Sequence, residues 1–218
     1  HRRALPCSYP FLGSIIVIPA RLSPRLMNRF VETLSKEVGA DTYHAVLSNS
    51  GLSRDWQKPE FFLAFDNKQT AEAYAKLQSA LRTYYGRGAR GILLRIGSKL
   101  WEPMLNDASF ASKAQATFVR GFPKPLKRKP ALELLASTLG TGRGDVTVHT
   151  LDLDLLLVDH SSPTTLGQKE NSPVCFVTLG LIRECLYWAT GDEHDIEELV
   201  CKAAGSHQCE FKITIGAS

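Results

Sequence analysis

Three cysteines and a glutamate near the end of the chain have the types and spacing that could hold a metal ion. Cys175, Glu198, Cys201 and Cys209 form the pattern C-x22-E-x2-C-x7-C. Three soft thiolates and one carboxylate are the number and kind of ligand for a closed tetrahedral zinc site. A hairpin centred on Gly205 would set Cys201 and Cys209 at cross-strand positions, with Cβ atoms roughly 4.5–5.5 Å apart. At that separation the two side chains could share an ion, form a disulfide, or pack as small apolar core residues. A reducing cytoplasm disfavours the disulfide. Glu198 poses a condition: residues three apart on a regular strand face opposite sides, so Glu198 and Cys201 converge only through a bulge or at a strand end.

The elements that must position these residues can be read from periodicity. Residues 24–38 recur at helical spacing through Leu26, Met27, Phe30, Val31, Leu34 and Val38, with Ser23 as N-cap, Pro24 at the first helical position and Gly39 as terminator. Residues 69–85 and 90–105 predict two more amphipathic helices, and 130–140 another that opens at Pro130 and ends at Gly140. From about residue 143 the period changes. "DVTVHTLDLDLLLVD" at 145–159 alternates, with Leu151, Leu153, Leu155 and Leu157 on one face, and predicts a half-buried strand. A loop then leads to a helix at 174–191 and two β-patterned segments at about 194–203 and 208–215. Helices, strand, helix and hairpin in that order predict an α+β fold, helices packed on an antiparallel sheet, within one domain spanning 1–218. Its 1–142 part is mainly helical, and 143–218 carries the candidate metal site.

Composition narrows the function class. An apolar fraction of 44% with 22% charged residues is that of an ordinary soluble chain of 218 residues. No apolar run approaches the roughly 20 residues needed to span a bilayer; the longest, "LGSIIVIPA" at 12–20, is strand length. No basic-then-apolar leader precedes it and the chain opens at His1, so the expectation is a trimmed, cytoplasmic protein. Net charge is only +4, and the basic cluster "KPLKRKP" at 124–130 contains no aromatic residue to stack a base, which reads as a solvated loop rather than a nucleic-acid footprint.

Other motifs fail on context. "GRGARG" at 86–91 fits G-x-G-x-x-G but follows a helical segment, not the strand a dinucleotide fingerprint needs. Its glycines are expected to break one helix into two or to admit a close helix contact. "GTGRGD" at 140–145 reads as a turn into a strand. The adjacent His160 and Ser161 lack a third group to make a catalytic pairing.

The segment "PVCFVTLGLIRECLYWATGDEHDIEELVCKAAGSHQCEFKI" resembles the C-terminal core of the 4-vinyl-reductase domain family, and "YYGRGARGILLRIGSKLW" resembles its glycine-punctuated helix. "SPRLMNRFVETLSKEVG" is similar to the N-terminal helix of bacterial members. The family includes a bacteriochlorophyll-synthesis protein, aromatic-sensing domains of bacterial activators and hydrocarbon-binding proteins. The resemblance implies a fold similar to TRAPP transport-complex subunits, usually a homodimer through N-terminal helices. It also implies zinc held by Cys175, Glu198, Cys201 and Cys209, and a hydrophobic or aromatic ligand held in a pocket beside the final hairpin. Cys185, Tyr187 and Ile196 carry over as pocket wall, and Trp101 and Trp188 are further candidates; plain core packing is the competing role for each. Relatives often carry a second cysteine pair before the helix, whereas 161–167 here reads "SSPTTLG", leaving His160 as the one potential ligand in that loop. Four protein ligands would make the zinc structural. The expected function is therefore a ligand-binding sensor or carrier rather than an enzyme. The alternatives are a reductase or accessory protein of tetrapyrrole synthesis and a purely structural dimer subunit.

Overall fold

A computed structural model describes residues 18–215 of the chain. Helix α1 (Pro24–Val38) begins as expected, with Ser23 Oγ accepting from Leu26 N–H at 3.2 Å, and Gly39, at φ +84°, ends it. Helix α2 (Ala40–Asn49) follows at once, and single helical turns at Arg54–Gln57 and Pro59–Ala64 lead to α3 (Asn67–Tyr85). Asp66 and Gln69 close a reciprocal capping box at the start of α3. Gly86, at φ +53°, breaks the chain between α3 and α4 (Ala89–Asp107), the helix break expected of the 86–91 glycines. Helices α5 (Phe110–Gly121) and α6 (Lys124–Leu139) complete the N-terminal part.

A four-stranded antiparallel sheet completes the α+β fold. Strands β1 (Val146–Leu151) and β2 (Asp154–Asp159) form a hairpin, α7 (Phe176–Thr190) crosses over, and β3 (Asp195–Val200) and β4 (Cys209–Thr214) form a second hairpin. β4 pairs with β2, giving the order β1-β2-β4-β3. On β4, Cys209, Phe211 and Ile213 point inward, and one core cluster runs from Leu22 to Ile213, joining the helices to the sheet.

Four sequence expectations are corrected. Residues 145–159 are a hairpin, not one strand: Asp152 turns the chain at φ +53°, so Leu151 and Leu153 are exposed while Leu155 and Leu157 are buried. Asp tolerates this left-handed conformation, which alternation alone does not reveal. Residues 124–130 are the first two turns of α6, not a loop, and Pro130 lies inside that helix. There the burial of Ala131, Leu132, Leu134 and Leu135 outweighs the missing proline N–H. α2 and α5 have no counterpart in the sequence reading; α5 buries only Ala116 and Val119, too little apolar pattern to detect. The apolar run at 12–20 falls largely outside the described residues.

α7 is apolar nearly all round and sits between α4, α6 and the sheet. Its approach to α4 is set by two glycines. A Cβ on Gly97 would lie 2.1 Å from the Val177 carbonyl oxygen, and one on Gly180 would lie 2.1 Å from that of Leu94. Ser98 Oγ donates to the Gly180 carbonyl at 3.2 Å across the same contact. Because backbone must shift to admit any side chain, Gly180→Ala is expected to destabilise the fold by about 2–3 kcal/mol. Gly91→Ala, on the exposed side of α4 with only Arg95 Nη1 within reach at 3.7 Å, is expected to stabilise it by about 0.5–1 kcal/mol. Chemical denaturation of both variants checks the pair; shifts of the same sign would refute the packing account.

Candidate metal centre

The fold brings the four spaced residues together from three elements. Cys175 is the N-cap of α7, Glu198 lies on β3, Cys201 directly follows β3, and Cys209 opens β4. All four are buried, and one candidate ligand atom from each lies within 4.8 Å of every other. The β3–β4 register pairs Glu198 with Phe211 and then Val200 with Glu210, so Leu199 is an extra residue on β3. This bulge is the device the spacing demanded: Leu199 points outward, and Glu198 and Cys201 both turn inward. His160 is not part of the group; its carbonyl accepts from Lys202 Nζ at 2.9 Å and its Nε2 lies 3.3 Å from Thr147 Oγ1.

The sulfur atoms stand 3.6 Å (Cys175–Cys209), 3.9 Å (Cys175–Cys201) and 3.9 Å (Cys201–Cys209) apart. A disulfide would need about 2.05 Å. With Zn–S bonds of about 2.3 Å, sulfur ligands at the corners of a tetrahedron are about 3.8 Å apart. The carboxylate agrees with that reading. Glu198 Oε2 accepts the Cys175 backbone N–H at 2.9 Å, while Oε1 is buried with no hydrogen-bond partner. An orphaned carboxylate oxygen beside three sulfurs is a strong acceptor lacking a cation or proton. These side chains therefore fit a metal ion.

Charge makes the same point. Burial pushes Glu198 up to about 8. Hydrogen bonds to Cys201 and Cys209, and then burial, hold the Cys175 thiol well above its ordinary range. The Cys175 contact pulls Cys209 down, but the Cys201 contact and burial prevail and push it up to about 12. Only Cys201 is lowered, because Cys175 and then Cys209 hydrogen-bond to it. Without a cation the cluster thus keeps one thiolate surrounded by protonated neighbours; a dication could replace those protons.

A supporting layer went unread in the sequence. Ser162 Oγ lies 3.1 Å from Cys209 Sγ and 3.7 Å from Cys175 Sγ, and Lys202 N–H donates to Cys209 Sγ at 3.3 Å. Ser162 sits at φ +31°, held there by Asp159, whose Oδ1 accepts from Ser161 N–H (3.0 Å), Ser161 Oγ–H (3.0 Å) and Ser162 N–H (2.7 Å). The signal was present in "DHSSP": an Asp that caps the two serines after it is an Asx-type turn. Asp159 and Ser161 also line a small enclosed pocket of about 20 Å³ between the sheet and the helices, together with Phe30, Tyr74, Thr164 and Leu181.

The five expected pocket-wall residues lie elsewhere. Cys185 is buried, and its thiol donates to the Ala131 carbonyl at 3.2 Å. Tyr187 is half exposed. Trp101 is buried with Nε1 unpartnered and packs edge to face on Trp188, centroids 5.5 Å apart, while Arg120 stacks over Trp188 at 5.0 Å. Ile196 is half-buried on β3. None of the five lines the pocket beside Asp159.

No curated protein matches the sequence. Among solved structures, an H-NOX protein from S. oneidensis in its Fe(II)NO ligation state superposes with a TM-score of 0.54 at 13% identity, covering 90% of this chain and 100% of that one. An unliganded Fe(II) H-NOX mutant from K. algicida gives a TM-score of 0.55 at 14% identity, covering 88% and 95%. The phenol-responsive sensory domain of the transcription activator PoxR, with phenol, gives 0.48 at 18% identity, covering 66% of this chain and 73% of that one. At these identities the H-NOX likeness is one of fold. Residues 160–215 match the 4-vinyl-reductase domain family, a span that opens at the turn carrying Ser162 and contains Cys175, Glu198, Cys201 and Cys209.

Proposed function

We propose that this chain is a ligand-binding sensor or carrier module whose final hairpin is clamped to α7 by a structural zinc ion. The observation that carries the reading is the orphaned Glu198 Oε1, buried among three sulfurs at tetrahedral spacing. Cys175, Glu198, Cys201 and Cys209 would hold the ion, and their softness selects zinc over magnesium or calcium. With four protein ligands no position stays open for water or substrate, so the ion contributes folding energy. The family match over 160–215 and the resemblance to hydrocarbon-binding and aromatic-sensing proteins support a small hydrophobic or aromatic ligand. The pocket beside Asp159 is where it would enter. At about 20 Å³ it holds no more than one water, so a ligand must spread α1 and α3 from the sheet. Because Asp159 also fixes Ser162 against the sulfurs, that movement reaches the metal group directly. A homodimer through the N-terminal helices belongs to the same proposal.

Protein purified without added metal is expected to carry about one zinc per chain. Cys201→Ser and Cys209→Ser are each expected to lose the metal and to lower Tm by roughly 10 °C or more. A folded wild type free of metal, or variants with full zinc and unchanged Tm, would overturn the assignment.

Zinc entry must displace protons from Glu198, Cys175 and Cys209, so affinity is expected to rise with pH across the neutral range. Competition with a chelator of known pH dependence measures it; affinity flat with pH would contradict a protonated cluster.

For the ligand, a panel of phenols, tetrapyrroles and fatty acids is scored by thermal shift. A ligand present at about 100 times its Kd adds about 2.7 kcal/mol, a rise of roughly 5–10 °C for a chain of this size. Tyr74→Phe or Asp159→Asn is expected to weaken that shift while zinc content stays near one, and a shift from no compound would sink the ligand reading.

A further inference from the structure

The exposed face of α5 is apolar, and the start of α6 beside it is basic. Phe110 is 89% exposed, Phe118 67% and Leu126 61%. On α5, Ala114, Phe118 and Gly121 share one face, opposite the buried Ala116 and Val119. Phe118 packs edge to face on Phe122, centroids 4.6 Å apart, so the two rings stand as one apolar ridge. Large apolar groups presented together and outward mark an interaction surface.

Charge decides what the surface meets. From Asp107 to Glu133 the chain carries Lys113, Arg120, Lys124, Lys127, Arg128 and Lys129 and no carboxylate between. Lys124 pairs with Asp192 at 2.7 Å and Lys129 reaches Glu133 at 4.0 Å. Arg128 donates to a ring nitrogen of His194, and Arg120 lies over Trp188. Among the described residues, Lys113, Arg120, Lys127 and Arg128 pair with no carboxylate, leaving net positive charge around the apolar ridge. A second copy of the chain is a poor occupant, because an isologous contact would set these cations against themselves. A nucleic-acid strand would use the rings but gain nothing from Leu126 or Ala114. An anionic bilayer uses every part: phenyl and leucyl groups enter the headgroup–acyl boundary while lysine and arginine meet the lipid phosphates.

We propose that the α5–α6 face docks on an anionic lipid surface. No helix among the described residues is long and apolar enough to cross a membrane, so the chain lies on the bilayer rather than in it. This inference is independent of the metal and pocket readings.

The test is sedimentation of the full, zinc-replete chain with vesicles of phosphatidylcholine alone or with about 30% phosphatidylserine. Binding is expected only to the anionic vesicles and is expected to vanish at about 0.5 M salt. Phe118→Ser is expected to weaken it roughly tenfold, and Lys113→Gln combined with Lys127→Gln roughly thirtyfold. These side chains are exposed, so each variant should keep the wild-type Tm, and that is measured alongside. Absent binding, equal binding to both vesicles, or binding that neither variant changes would overturn the proposal. Tighter binding to single-stranded RNA than to the vesicles, or a wild-type dimer that Phe118→Ser splits, would give the face to another occupant and equally overturn it.

Discussion

A β-strand shows alternate residues to opposite faces, and that rule must be broken once for this site to exist. Glu198 and Cys201 are three apart, yet both point into the core because Leu199 is an unmatched residue on β3. Every other part of the centre is regular. Cys209 follows the simple alternation of β4, and Cys175 stands where α7 begins. The bulge makes two hairpin arms and one helix end meet at a point, and the carboxylate is steadied there by the Cys175 backbone amide.

The centre depends in turn on where α7 lies. That helix is located against α4 by shape, through the facing glycines 97 and 180. Two helices whose backbones touch have little freedom to slide, so the N-terminus of α7, and Cys175 with it, is held against the sheet. On the sheet side, Asp159 sits opposite Cys209 in the β2–β4 register and commits one carboxylate oxygen to the turn that brings Ser162 to the sulfurs. The metal group is thus supported by a steric contact on one side and a hydrogen-bonded turn on the other.

What could be read from the sequence followed from how local each signal is. Helix α1 was legible because its caps, proline and apolar spacing all agree. The four candidate ligands were legible because cysteine is rare and their spacing is unusual, and the need for a bulge followed from strand geometry alone. The 145–159 segment misled because leucines alternate straight through a turn made by Asp152. α5 was hidden because its phenylalanines face outward, so it lacks the inward stripe that marks a packed helix. The roles of Ser162 and Gly180 depend on contacts between residues far apart in sequence, which no single segment encodes.

β3 is an edge strand, with β4 on one side and no strand among the described residues on the other. A straight edge offers an unbroken row of amides and carbonyls to any foreign strand that drifts past. The extra residue at Leu199 interrupts that row and increases the local twist. The same irregularity that turns Cys201 inward therefore also guards the molecule against edge-to-edge sheet growth. A chain lacking Leu199 would regain a flat edge while losing the convergence of its thiols, so solubility and metal binding are tied to one residue's insertion.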